Sequence, residues 1–198
     1  MPRTKTISDE DLLTACRAEF LAQGLQVPTK RLAQRAGISE GILFQRFGTK
    51  DELFFASMRM PPPHLDAVVA ESLGATHVAQ ALLIFARAAL DYLRRNMPAV
   101  LLVLAHPDYR TRSAPLSHRS HDFLLDAQSM HGGFKQIFEH YKGTDQVSQN
   151  DHDQLVGVLI STLLARAIHE EIGVSRAADS EPWLSQTIGA LAKGYAGR

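Results

Sequence analysis

Between Pro28 and Lys50 the sequence PTKRLAQRAGISEGILFQRFGTK sets Lys30, Arg31, Arg35, Arg46 and Lys50 against one acid, Glu40. Five positive charges less one negative charge leave a local balance of +4. The whole chain is neutral, with 21 Lys plus Arg and 21 Asp plus Glu, so any attraction to a polyanion must come from this patch. The same stretch reads as two short helices joined by the tight corner Ala36-Gly37-Ile38-Ser39, a helix-turn-helix whose second helix lies in the major groove of DNA. Advancing about 100° per residue from an inward pair, Leu43 and Phe47, the opposite pole falls on Gly41 and Gln45, flanked by Ile42 and Phe44. Gly41 lets the backbone approach a duplex closely. Gln45 can hydrogen-bond an adenine edge, Ile42 can touch a thymine methyl, and Arg46 can reach guanine or phosphate. Lys50, at the start of the next helix, is placed as a phosphate clamp where the helix dipole also favours an anion. An Ala-Gly corner by itself also joins helices in many bundles that never touch DNA. The local charge and the Gly41 pole are what favour DNA binding here.

Other reactive groups are sparse. The sequence has no G-x-S-x-G, no Walker loop, no G-x-G-x-x-G, no H-E-x-x-H and no C-x-x-C, so no enzyme and no cofactor are expected. His118 and His121, with Asp122 adjacent, lie three apart on one helix face but lack a clear third ligand, so no metal is expected. Asp151-His152-Asp153 reads better as the acidic first turn of a helix. Cys16 is the single cysteine and reads as a small core hydrophobe, with no internal disulfide to make.

The elements that must position the patch are helices, and nothing reads as a sustained strand. Ser8 followed by Asp9, Glu10 and Asp11 is a helix start, Leu12, Leu13, Cys16, Phe20 and Leu21 form its apolar stripe, and Gly24 is its stop. Pro28 opens a second helix with Leu32, Ala33 and Ala36 inward. Ser39 caps a third, and a fourth begins near Thr49 with Asp51 and Glu52 in its first turn. Pro61-Pro62-Pro63 excludes helix and marks the end of a first domain. Beyond it, helical stretches are predicted over roughly 76–96, 98–105, 117–141, 151–172 and 181–195, and Gly132-Gly133 is expected to kink or break the third of these. At 198 residues the chain has room for one or two domains and a core that buries ~70% of its unfolded surface. Its longest apolar run, Pro98 to Ala105, is far short of the ~18 residues of a membrane span. The N-terminal MPRTKTISDEDLL has no apolar signal-like stretch. A soluble, cytoplasmic protein is expected, with no membrane partner.

The first sixty residues resemble the DNA-binding domain of TetR-type transcriptional regulators. The resemblance rests on the first-helix pattern through Phe20 and Gly24, the LAQRAGIS corner at Leu32–Ser39, and GILFQRF-GTKDELF at Gly41–Phe55. Gly41, Phe44, Phe47 and Lys50 match positions the family uses for backbone approach, phosphate contact, core and phosphate clamp. The sequence departs from the family where Phe44 stands for the commoner tyrosine, Arg46 for histidine or tyrosine, Ile42 for threonine, and Val27 for a capping Ser or Thr. With Val27 unable to cap, Thr29 takes over a phosphate contact. Thr29, Lys30 and Ser39 complete the candidate DNA-binding set.

The resemblance implies an all-α protein. An N-terminal three-helix helix-turn-helix DNA-binding domain would cover residues 1–60, and a C-terminal helical ligand-binding and dimerisation domain residues 61–198. Leu155–Ile168 is apolar almost all round, and Leu184, Ile188, Leu191 and Tyr195 form a single stripe. These last two long helices are expected to pair with their copies in a homodimer, which would place two recognition helices on a roughly palindromic operator in double-stranded DNA. The middle helices would enclose a pocket for a small apolar or aromatic effector. Candidate lining residues are Phe85, Leu102, Phe123, Met130, Phe134, Phe138 and Leu163, with Arg166 as a polar option. The expected function is a ligand-released repressor. The alternative is a helical small-molecule-binding protein or enzyme whose DNA-binding-like bundle is not used on DNA.

Overall fold

The computed structural model describes residues 7–107, 109, 127–142, 144 and 152–195. Among them are nine α-helices and no strand, in keeping with the all-α expectation. We number them α1 (Asp9–Gln23), α2 (Thr29–Ala36), α3 (Glu40–Phe47), α4 (Lys50–Ser57), α5 (Asp66–Leu73), α6 (Val78–Leu104), α7 (Ala127–Tyr141), α8 (Asp153–Glu171) and α9 (Ser180–Tyr195). None of the described helices is long and apolar enough to cross a membrane.

The chain divides into two units, Met1–Met60 with Pro98–Phe123 and Pro61–Met97 with Leu124–Arg198. In the first, each helix end is written locally. Ser8 Oγ accepts from Asp11 N at 3.0 Å, and three acids occupy the first turn of α1. Gly37, at φ +70°, closes α2 by donating to the carbonyls of Ala33 and Gln34. Ser39 Oγ accepts from Ile42 N at 3.3 Å to start α3. Thr49 and Glu52 exchange side-chain and backbone bonds in a capping box that starts α4. Leu12, Cys16 and Phe20, one per turn of α1, meet Leu32, Ala33, Leu43, Leu53 and Phe54 in one core, with Phe20 and Phe54 edge to face at 5.1 Å. Ala99 and Val103 from the end of α6 are buried in this same core. Burial pushes the Cys16 thiol up to about 11, helped by the neighbouring Glu19 charge.

The second unit is built on α5, the first part of α6, and α7 to α9. Phe85 and Phe134 pack edge to face at 4.7 Å, and Leu82, Leu90, Leu93, Leu159, Leu163, Leu184 and Ile188 are buried. A polar clasp lies at its margin. Arg94 donates to Glu170 at 2.6 and 3.1 Å, and Arg166 donates to Glu170 at 2.7 Å and to Ser180 Oγ at 2.9 and 3.0 Å. Burial alone would raise the Glu170 carboxyl, but the hydrogen bonds from Arg94, Ser180 and Arg166 win and hold it at about 2.

Three elements differ from the sequence expectation. Helix α6 runs without interruption through Pro98, where two helices are expected. The missing N–H frees only the Arg94 carbonyl, while Leu93 and Met97 before the proline and Ala99, Val100 and Val103 after it are all buried. Helix α5 has no expectation to match, because its N-cap is Leu65 with no capping side chain and it runs for only eight residues. Helix α7 continues through Gly132-Gly133. The role of Gly133 is clearance: a Cβ there would overlap the Phe85 ring.

Candidate nucleic-acid interface

Helix α3 is seated by one fully buried side chain, Leu43, with Phe47 half-buried on the same face. Gly41, Ile42 and Gln45 are exposed on the other side, Ile42 to 45%. Only Ser39 Oγ, at 3.8 Å, comes near where a Gly41 Cβ would be, so the backbone here is open to a large neighbour. Phe44 is half-buried beside this pole. Ser39 is exposed, with its hydroxyl oxygen occupied as the cap of α3.

The cations divide by what they touch. Lys30 is exposed on α2. Arg31 pairs with Glu19 at 2.7 Å, and Arg35 stands 3.7 Å from the same carboxylate. Lys50 Nζ donates to the Leu25 carbonyl at 2.7 Å, which ties the start of α4 to the turn after α1. Arg46 points back to the start of α1, donating to the Ile7 carbonyl at 3.0 Å and pairing with Asp9. Thr29 donates its hydroxyl to Glu40, joining the first residues of α2 and α3.

This arrangement changes the charge count of the patch. The +4 of Pro28–Lys50 becomes +2 once Glu19 and Asp9, one negative charge each, are included. Neither acid is visible in the motif because both lie on α1, at least 12 residues away in sequence from any cation they pair with, and their helical faces are set only by packing. The exposed surface is therefore a weakly positive rim around an uncharged pole, the usual separation of phosphate-positioning from base-reading groups.

The effector candidates fall in several places. Phe85, Met130, Phe134, Phe138 and Leu163 are all buried in the second unit. Phe85 meets Phe134, while Phe138 stacks on His152 at 4.8 Å with nearly parallel rings. Leu102 is not brought to them; it packs against the core of the first unit. Arg166 directs Nε and Nη2 to Glu170, Ser180 and the Arg176 carbonyl, and its guanidinium lies 5.1 Å from the Trp183 ring centre. Phe123 lies outside the described residues, as do His118 and His121. The sequence pattern places His152 in the first turn of a helix; it is the residue before α8, and its side chain is buried with Nε2 lacking a hydrogen-bond partner. No periodic signal marks a histidine as buried at a helix start. Among the described residues no group of three or more His, Cys, Asp or Glu is placed to hold a metal.

Residues 12–57 match the family model described as bacterial regulatory proteins, tetR family. No curated protein matches the chain. Several solved structures share its fold over nearly its whole length. The TetR-family transcriptional regulator PfmR from Thermus thermophilus superposes with a TM-score of 0.62 at 18% identity, covering 93% of this chain and 98% of its own. A TetR transcription regulator from Haloarcula marismortui gives 0.65 at 14%, covering 94% and 96%. The fatty acid degradation regulator FadR from Bacillus halodurans gives 0.59 at 13%, covering 96% and 95%. At these identities the likeness establishes the fold.

Proposed function

We propose that this chain, an all-α protein whose first unit carries the tetR-family N-terminal helices, is a DNA-binding transcriptional regulator that represses from a palindromic operator and is released by a small molecule. The observation that carries the reading is the exposed Gly41–Ile42–Gln45 pole on a helix held from behind by Leu43 and started by the Ser39 cap. An uncharged, backbone-open face suits a major groove better than it suits a solvated bundle surface. In this reading residues 1–60 bind DNA, with Gln45 and Ile42 reading bases and Thr29, Lys30, Ser39, Gly41, Phe44 and Lys50 along the backbone. Residues 61–198 dimerise and sense.

The dimer would form through α8 and α9. Gln154, Gly157, Val158, Ser161, Thr162 and Ala165 line a shallow groove along one side of α8, and Val158 is 50% exposed there. Small residues at that spacing let a second helix approach closely. The effector would meet the buried apolar side chains Phe85, Met130, Phe134 and Phe138. An apolar or aromatic compound that stabilises a conformer with the recognition helices at the wrong separation draws the dimer off its operator by population shift.

Selection of bound duplexes from a random pool at near-physiological salt tests the reading, comparing the intact chain with Gln45→Ala plus Lys50→Ala. Enrichment of one palindrome that the double variant fails to enrich supports it. Weak, sequence-blind binding by both proteins refutes it and leaves a helical ligand-binding protein that does not read DNA.

A further inference from the structure

Arg46 is the one residue of the recognition helix with a guanidinium, and the sequence pattern assigns it to DNA. Its surroundings assign it elsewhere. The side chain is only 24% exposed and folds back to the first turn of α1, where it pairs with the Asp9 carboxylate and donates to the Ile7 carbonyl at 3.0 Å. The Asp9 carboxylate is exposed at the start of α1, while Ile7 is the anchored acceptor. The Ile7 side chain packs against the core, and Ser8, between the two, caps α1.

Helix α3 needs such an anchor. Eight residues are too few for a helix to hold itself, and only Leu43 is fully buried. Leu43 and the half-buried Phe47, one turn apart on the same face, pack against the core and set the depth and general facing of the helix. Three polar bonds pin that facing at the two ends: Thr29 to Glu40 at the first residue of α3, and Arg46 to Asp9 and to Ile7 near the last. They come from α2 and α1, so together they fix the direction in which Gly41, Ile42 and Gln45 face.

We propose that Arg46 is a positioning residue that sets the azimuth of the recognition helix through Asp9 and Ile7, and that it contributes no phosphate or base contact of its own. The inference rests on the regulator reading above and deepens it, because it moves one expected DNA contact into the scaffold.

Arg46→Met, Asp9→Asn and the double variant test it, each as the full chain. The DNA probes are the duplex that the intact chain enriches from a random pool and an unrelated duplex of equal length, both titrated across salt. Amide hydrogen exchange of residues 41–47 is measured on the DNA-free proteins. Arg46→Met is expected to lower the preference for the enriched over the unrelated duplex about fivefold, while the lost charge shifts both duplexes alike and the salt slope of each stays unchanged. A residue that only supports stability leaves that specificity ratio where it was. Removing the Asp9 charge shifts both duplexes alike and cancels in the ratio. In the Asp9→Asn background the Arg46→Met penalty is expected to shrink, and α3 amides exchange faster in either single variant. Arg46→Lys, which can reach one of the two acceptors, restores part of the ratio.

The inference is overturned if Arg46→Met lowers the salt slope by about 0.9, the loss of one phosphate contact, with an equal penalty in both backgrounds. It is also overturned if α3 exchange is unchanged. Should the intact chain enrich no duplex, the regulator reading fails, and the exchange measurement still decides whether Arg46 anchors α3.

Discussion

Gly132 and Gly133 are adjacent in α7, yet replacing each with alanine should move stability in opposite directions. A Cβ on Gly132 meets nothing within 4 Å, whereas one on Gly133 overlaps the buried ring of Phe85. In a helix interior, Gly→Ala stabilises by about 0.5–1 kcal/mol through lost unfolded-state freedom and higher propensity. That gain is the whole effect at Gly132. At Gly133 it is set against overpacking, which costs about 1–3 kcal/mol. The cost falls at the upper end because the overlap involves the ring end of a fully buried Phe85 already wedged edge to face on Phe134. A net destabilisation of about 1–2 kcal/mol follows, so the two variants should differ by about 2–3 kcal/mol. Denaturant unfolding at fixed protomer concentration measures this, and in thermal unfolding each kcal/mol corresponds to about 2–4 °C in Tm for a chain of this length. Phe85→Leu supplies the control: with the ring gone, Gly133→Ala should lose most of its penalty. Equal or stabilising effects at the two glycines would refute the claim that α7 approaches α6 this closely. The set of buried apolar side chains proposed to meet the effector would then have to be redrawn.

Four further outcomes follow from particular contacts. The Glu170 carboxyl is held at about 2 against an ordinary value near 4.5, so its contribution to stability is complete above pH ~4.5 and is lost as pH falls through about 2. Acid titration of the unfolding free energy should show that loss, on the order of 3 kcal/mol, and Glu170→Gln should abolish it while destabilising the chain at neutral pH. Cys16, fully buried with its thiol pushed up to about 11, should react with a thiol reagent at neutral pH only in denaturant. Labelling of the native protein at the rate of a free thiol would contradict that burial. Thr49→Ala removes the capping box of α4 and should cost about 1 kcal/mol in thermal unfolding. On the selected duplex, Lys30→Ala should reduce the salt slope by about 0.9 and leave base preference intact, whereas Gln45→Ala should leave the slope and cost about 1–3 kcal/mol of discrimination at one base pair.

Much of the fold is legible in the chain because its helix ends are local events. Ser8, Ser39 and Thr49 as caps, and Gly24, Gly37 and Gly48 at φ between +70° and +74°, delimit the N-terminal helices within a few residues of themselves. The face of α3 is legible too, since helical periodicity turns Leu43 inward and Gly41 and Gln45 outward without reference to anything else. Local signals fail where a helix lacks them or overrides them. Leu65 gives α5 no capping side chain, and burial on both sides of Pro98 carries α6 through a residue that ordinarily starts or stops a helix.

What the sequence alone determines is therefore the helix-turn-helix, its caps and its outward pole, each encoded by residues within about four positions of one another. Tertiary structure decides what each cation touches. Arg31 and Arg35 meet Glu19, Arg46 meets Asp9 and Ile7, and Lys50 meets the Leu25 carbonyl, all across 12 to 39 residues of sequence. It likewise sends Leu102 to the first unit and commits Arg166 to Glu170 and Ser180. A charge carries no periodicity that names its partner. The partner is fixed only when two helices bury their apolar stripes against each other and their polar edges come to rest side by side.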